Sequence, residues 1–163
     1  MKRLHWVFLA VLALAASLAF VQVDDASSDV AYTLTVLHNN DGESQLVNAG
    51  PGLEDFGGVA RFVRLVSNLR AEAVPNDADR GVVVLSSGDN YLAGPEFNAS
   101  LDKGVPFYDT IAIEYLGYDA ISFGNHDFDF GPDVLAEFLS GYTRPAKPIY
   151  LGANVDFSAE PAL

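Results

Sequence analysis

Residues 124–131 read Gly-Asn-His-Asp-Phe-Asp-Phe-Gly, an amide, an imidazole and two carboxylates set between glycines. The stretch directly follows the short apolar run Ala120-Ile121-Ser122-Phe123. Two further polar clusters close earlier apolar runs: Asn39-Asn40-Asp41-Gly42-Glu43 and Ser86-Ser87-Gly88-Asp89-Asn90. Asp41, Glu43, Asp89, Asn125 and His126 together offer mostly oxygen ligands and one imidazole. Such a set suits Mg²⁺, Mn²⁺, Ca²⁺ or Zn²⁺ better than copper or an iron–sulfur cluster. An aspartate at the end of a middle strand can give one oxygen to each of two ions. A pair of ions about 3.5–4 Å apart clamps a phosphoryl group and activates water at neutral pH. His126 and Asp129 are spaced to pair within the turn. A carboxylate hydrogen-bonded to an imidazole fixes its tautomer and favours its charged form, so His126 can donate a proton to a leaving alkoxide.

These side chains are useful only if the fold gathers them. Tyr32–His38 alternates and is rich in β-formers, which predicts a first strand. Val59, Phe62, Val63, Val66 and Leu69 recur at helical spacing, with Arg61, Arg64 and Arg70 on the other, solvated face. Val82–Leu85 is a continuous apolar run, typical of a strand buried on both faces. A loop containing Gly94 and Pro95 follows, and then a predicted helix over 106–116. Pro106 stands in its first turn, Phe107, Ile111, Tyr115 and Leu116 form its buried stripe, and Gly117 stops it. Residues 120–123 read as a third strand, 132–139 as a third helix and 149–154 as a fourth strand. This alternation predicts an α/β domain with mostly parallel strands covered by helices. All three polar clusters then emerge at the carboxyl edge of the sheet, where open α/β sheets place their chemistry.

The bulk composition narrows the partners. The formal net charge is −13, half the residues are hydrophobic and there is no cysteine. Such acidity opposes binding to nucleic-acid phosphate or anionic lipid, and a small anionic substrate then needs a local cation. Thiolate metal sites and disulfides are excluded. Lys2 and Arg3, the apolar stretch Trp6–Ala16 and the small residues Ser17-Leu18-Ala19 read as a signal peptide over 1–19. The apolar run is shorter than the ~20 residues of a membrane-spanning helix. Residues 20–31 read as a flexible leader, and the expected localisation is secreted or periplasmic. Taken alone, Asp41-Gly42-Glu43 is an ordinary acidic turn, His38 is a packing or hydrogen-bonding strand residue, and Asn98-Ala99-Ser100 is a glycosylation-type triplet.

From Tyr32 to about Asn154 the chain resembles the N-terminal catalytic domain of secreted 5′-nucleotidases, within the calcineurin-like metallophosphoesterases. That family's Gly-Asp motif is matched by Gly88-Asp89. Its Gly-Asn-His-Glu/Asp-Phe-Asp-x-Gly motif is matched throughout 124–131. Its first motif, Asp-x-His, is Asp41-Gly42-Glu43 here, so Glu43 stands where the family has histidine. The resemblance implies a four-layer α/β/β/α sandwich, of which residues 32–163 are the N-terminal part. It implies two divalent ions (Mn, Zn, Mg or Ca) held by Asp41, Asp89 as the bridge and Asn125, with Glu43 as a further candidate ligand. It also implies catalysis by His126 supported by Asp129, and hydrolysis of a small phosphate ester, a nucleotide above all. Other hydrolases of the same fold act on cyclic nucleotides, nucleotide sugars or thiosulfate esters, and a non-catalytic metal- or partner-binding fragment is the alternative from a different class.

Overall fold

The apolar runs become strands of one sheet. The computed structural model describes residues 31–74, 78–145 and 147–163. The signal sequence read over 1–19, and all of the leader except Ala31, lie outside the described residues. Strands β1 (Thr33–Asn39), β2 (Arg80–Ser86), β3 (Ala120–Ser122) and β4 (Ile149–Leu151) alternate with helices α1 (Val59–Ala73), α2 (Pro95–Lys103), α3 (Tyr108–Leu116) and α4 (Gly131–Ser140). All four strands are parallel and lie in sequence order, β1-β2-β3-β4.

That order has a consequence for the two faces. Right-handed crossovers that all step the same way put every helix on one face. Side-chain register agrees. Leu37 pairs with Val84, and Ser86, Ile121 and Tyr150 align across the sheet. This row meets the helices, and Val84 and Ile121 are fully buried with Val66, Ile113 and Phe138. The opposite row is apolar but open. Leu34 and Val36 are each 54% exposed, Ile149 is 64% and Leu151 is 53%. The sequence predicted strands covered by helices; the described helices cover one face only.

Two elements differ from the sequence reading. The stretch taken as a loop after β2 contains α2. Gly94 and Pro95 are helix-start signals as well as loop signals, because proline is at home in a helix's first turn. α2 matters to the core: Phe97 stacks on Tyr91 at 4.6 Å between ring centroids and meets Phe107 edge-on at 5.9 Å. Helix α3 starts at Tyr108, leaving Pro106 outside it after a cis Val105–Pro106 bond, and Gly117 ends it in the left-handed conformation (φ 67°). Of its predicted stripe, Phe107 and Leu116 are buried, but Tyr115 is exposed with the Arg144 guanidinium over its ring. β4 stops at Leu151, because residues 152–155 close a turn through Val155 N–H to the Gly152 carbonyl. Arg70 is not on a free solvated face: its guanidinium donates to the Gly117 carbonyl and pairs with Asp119 at 3.4 Å.

Candidate active site

The three polar clusters meet at the carboxyl edge, as predicted. β1 delivers Asp41 and Glu43, β2 delivers Asp89, and β3 delivers Asn125 and His126. The first loop lies along the second through backbone bonds: Asp41 N–H to Gly88 O (3.1 Å), Glu43 N–H to Asp89 O (3.0 Å) and Ser44 N–H to Asn90 O (3.2 Å). This path sets Asp41, Glu43, Ser44 and Asp89 in the left-handed region, at φ 54°, 46°, 56° and 53°. Non-glycine residues held there cost of order 1 kcal/mol each and cluster at functional sites.

The second and third motifs interlock more tightly. A Cβ added to Gly88 would collide with the Gly124 nitrogen and the Ser122 carbonyl, and one added to Gly124 would collide with Asp89. Glycine is required at both places so that the two backbones can touch. Two carboxylates then cross the junction in opposite directions. Asp89 Oδ1 accepts from His126 N–H at 2.8 Å. Asp127 Oδ2 accepts from Gly124 N–H at 2.7 Å and from Asp89 N–H at 3.3 Å. Tyr91 donates its hydroxyl to the Asp127 carbonyl. Asp127 is buried, and burial raises its carboxyl above the ordinary range against the pull of these N–H groups. The sequence reading gave Asp127 no role of its own. Its place in the motif was visible, but not that it points inward as the clamp between two strand ends.

The imidazole of His126 is partly exposed. Its Nδ1 lies 2.7 Å from Asp129 Oδ2. An ionised carboxylate only accepts, so Nδ1 carries the hydrogen and Nε2 is the ring nitrogen left to bond elsewhere. The hydrogen bond to Asp129 raises the histidine above its usual 6.5. Desolvation opposes that rise, and the charges of Asp129, Asp89 and Glu43 add smaller upward contributions. Glu43 therefore lies within electrostatic reach of His126.

Asp41, Glu43, Asp89 and Asn125 are oxygen donors, the chemistry that hard divalent cations prefer. Among the described residues no three His, Asp or Glu side chains stand close enough to hold an ion as they are placed. The loops are brought together, while the His, Asp and Glu side chains of the described residues do not form a ready-made cage. Asp89 also commits one oxygen to His126 N–H. His38, on the open face, has Nε2 2.8 Å from Ser87 Oγ, just past the end of β2.

A parallel sheet with acidic loops and an Asn-His turn gathered at its carboxyl edge defines an α/β domain with one polar edge. Known proteins carry the assignment further. No protein-family model matches the chain. It is 32% identical over 167 residues to protein 5NUC of Lutzomyia longipalpis, covering 94% of this chain and 26% of that protein. It is 37% identical over 127 residues to the 5′-nucleotidase of Vibrio vulnificus, covering 77% of this chain and 21% of that one. The crystal structure of the 5′-nucleotidase precursor from Thermus thermophilus superposes with a TM-score of 0.59 at 33% identity, over 79% of this chain and 24% of that chain. Over the residues it spans, the chain matches proteins of the 5′-nucleotidase family, which cover most of it at 32–37% identity. It covers about a quarter of the length of these relatives.

Proposed function

We propose that this chain carries the phosphate-handling edge of a metal-dependent hydrolase of 5′-nucleotidase type, acting on nucleotides or related small phosphate esters. The observation that supports this most is the junction of the second and third motifs, where Asp89 and Asp127 lock the turn that offers the His126–Asp129 pair. Two divalent ions (Mn, Zn, Mg or Ca) held by Asp41, Glu43, Asp89 and Asn125 would supply positive charge for the phosphoryl oxygens and acidity for the attacking water. The chain's own groups do the rest. Asp129 fixes the His126 ring with Nε2 outward. The charged imidazole offsets negative charge gathering on the phosphoryl group and hands its Nε2 proton to the departing oxygen. The backbone bonds between 41–44 and 88–90 hold the two acidic loops side by side.

The same reading makes residues 32–163 one sheet-and-helix half of the sandwich, with a second sheet lying over Leu34, Val36, Ile149 and Leu151. Their exposure supports it, since a contiguous apolar face of this kind ordinarily meets a partner layer. The apolar, basic-started N-terminus supports export to the periplasm or the medium. Among the described residues no helix is long and apolar enough to cross a membrane.

The test is phosphate release from a panel of nucleoside monophosphates, with Mn²⁺, Zn²⁺, Mg²⁺ or Ca²⁺ added, by the full chain and by His126→Asn. The proposal expects metal-stimulated release that falls by roughly 10²–10⁴ in the variant. Equal rates for the two proteins, or no release above buffer, would refute it.

A further inference from the structure

The helix-facing row of the sheet turns polar as it reaches the carboxyl edge. Leu37 pairs with Val84 against the core, and two residues further on Asn39 pairs with Ser86. Polar side chains that face a core need hydrogen-bond partners. Ser86 serves the second-motif turn: its Oγ accepts from Gly88 N–H at 3.2 Å and donates to Asn90 Oδ1 at 3.2 Å. Asn39 is served from elsewhere. Its Oδ1 accepts from the Tyr118 hydroxyl at 2.7 Å, a bond that spans 79 residues of sequence. Tyr118 is 5% exposed, and a phenylalanine would fill its place without a buried hydroxyl to satisfy.

Tyr118 stands on a firm mount between α3 and β3. The carbonyl of the left-handed Gly117 before it accepts from the Arg70 guanidinium of α1. Asp119 after it bonds Val84 twice: its N–H donates to the Val84 carbonyl at 2.8 Å, and its carboxylate accepts from Val84 N–H at 2.7 Å. The residues flanking Tyr118 are thus tied to α1 and β2, while its side chain reaches the end of β1. What it reaches is the root of the first-motif loop. Asn39 is the last residue of β1, two before Asp41, and its carbonyl accepts from Ser87 N–H at 3.2 Å. The chain then enters the left-handed positions Asp41, Glu43 and Ser44, which persist only where their surroundings over-determine them. Past them the Leu46 carbonyl accepts from Val59 N–H at 3.2 Å and closes the far end. The loop is a strained arc held at both ends, and the side chain that holds the near end belongs to Tyr118.

Resting on the function proposed above, we infer that Tyr118 is a positioning residue: by holding the Asn39 side chain it fixes the root of the left-handed loop that carries Asp41 and Glu43 to the Gly88–Asn90 segment. It acts on the loop and not on the substrate.

The experiment compares the full chain with Tyr118→Phe, Asn39→Ala, the double variant and a control, Tyr142→Phe. The control removes a buried hydroxyl bonded to Tyr150 of β4, at the opposite side of the sheet from β1. Hydrogen–deuterium exchange is read over residues 40–46, and Mn²⁺ affinity by calorimetry, at a temperature where all are folded. Tyr118→Phe should speed exchange in 40–46 and weaken Mn²⁺ binding about threefold, less than the tenfold or more typical of groups bonded directly to a ligand. In the Asn39→Ala background the same change should add nothing, because the bond it removes is already gone. Tyr142→Phe should change neither readout. If Asn39→Ala does not fold, Asn39→Leu, of similar size, takes its place. Exchange in Tyr118→Phe no faster than in Tyr142→Phe, an unchanged Mn²⁺ affinity, or an effect undiminished in the Asn39 background overturns the proposal. If the wild-type chain binds no Mn²⁺, the hydrolase reading fails separately, and the exchange cycle alone decides whether Tyr118 holds the loop.

Discussion

At the ends of β2 and β3 the chain is locked by side chains: Asp89 Oδ1 accepts from His126 N–H and Asp127 Oδ2 accepts from Asp89 N–H across the junction, and Gly88 and Gly124 let the backbones touch. At the end of β1, residues 41–44 are laid along the same edge chiefly by backbone bonds, with Asp41, Glu43 and Ser44 in left-handed conformations. In one half a single residue, Asp89, is left-handed and fit fixes the backbones; in the other, three residues carry strain that neighbours must hold. A Cβ breaks the first half, whereas removing one relaxes the second. A site that must bind a ligand can be rigid where it orients a histidine and adjustable where it supplies carboxylates.

The sharpest way to break the contrast is Gly124→Ala. Its methyl meets the Asp89 backbone and carboxylate, which cannot move without undoing the junction, so unfolding free energy should fall by about 3 kcal/mol or more. Urea denaturation reads the change, and a loss under about 1 kcal/mol would mean the two backbones part easily. Asp127→Ala comes next. It leaves the Gly124 and Asp89 N–H groups without their acceptor, at about 1–3 kcal/mol, and Asp127→Asn should restore part of that. In the strained half the sign reverses. Glu43→Gly should be more stable than Glu43→Ala by about 1 kcal/mol, because glycine tolerates φ 46°. If alanine is as stable as glycine there, the loop is not held against its preference.

The smallest effect is a titration. The bond to Asp129 raises His126 above 6.5, so in metal-free protein its ring should lose its proton at higher pH than a free histidine. The stabilisation from the charged pair is complete below the unfolded value near 6.5 and is lost as pH rises through the raised folded value. NMR of the imidazole follows this directly. Asp129→Asn should lower the midpoint, and an unchanged midpoint would show that the carboxylate does not set it.

Much of this edge was legible in the sequence because its signals are local. Apolar runs bounded by Gly-Asp and Gly-Asn-His turns fix where strands end, and parallel order follows from alternation with helices. What could not be read depends on distant packing. Gly94-Pro95 looked like a loop, yet it opens α2, because the burial of Phe97 against Tyr91 and Phe107 outweighs two weak formers at the start. Tyr115 kept helical spacing but faces Arg144 and solvent. Nothing in the sequence neighbours of Asp127 announces a buried carboxyl. That the described residues hold no ready-made ion cage was equally invisible, because residue types give donor chemistry but not the direction of each side chain.

The account rests on the three strand ends acting together on a cation, and calorimetric titration of Mn²⁺ into the wild-type chain and into Asp89→Asn tests this most directly. The side-chain amide of that variant can still accept the His126 N–H, so the junction survives while the carboxylate charge is gone. The account predicts saturable binding to the wild type, weakened about tenfold or more in the variant. Equal affinity in the two proteins, or no binding to either, contradicts it.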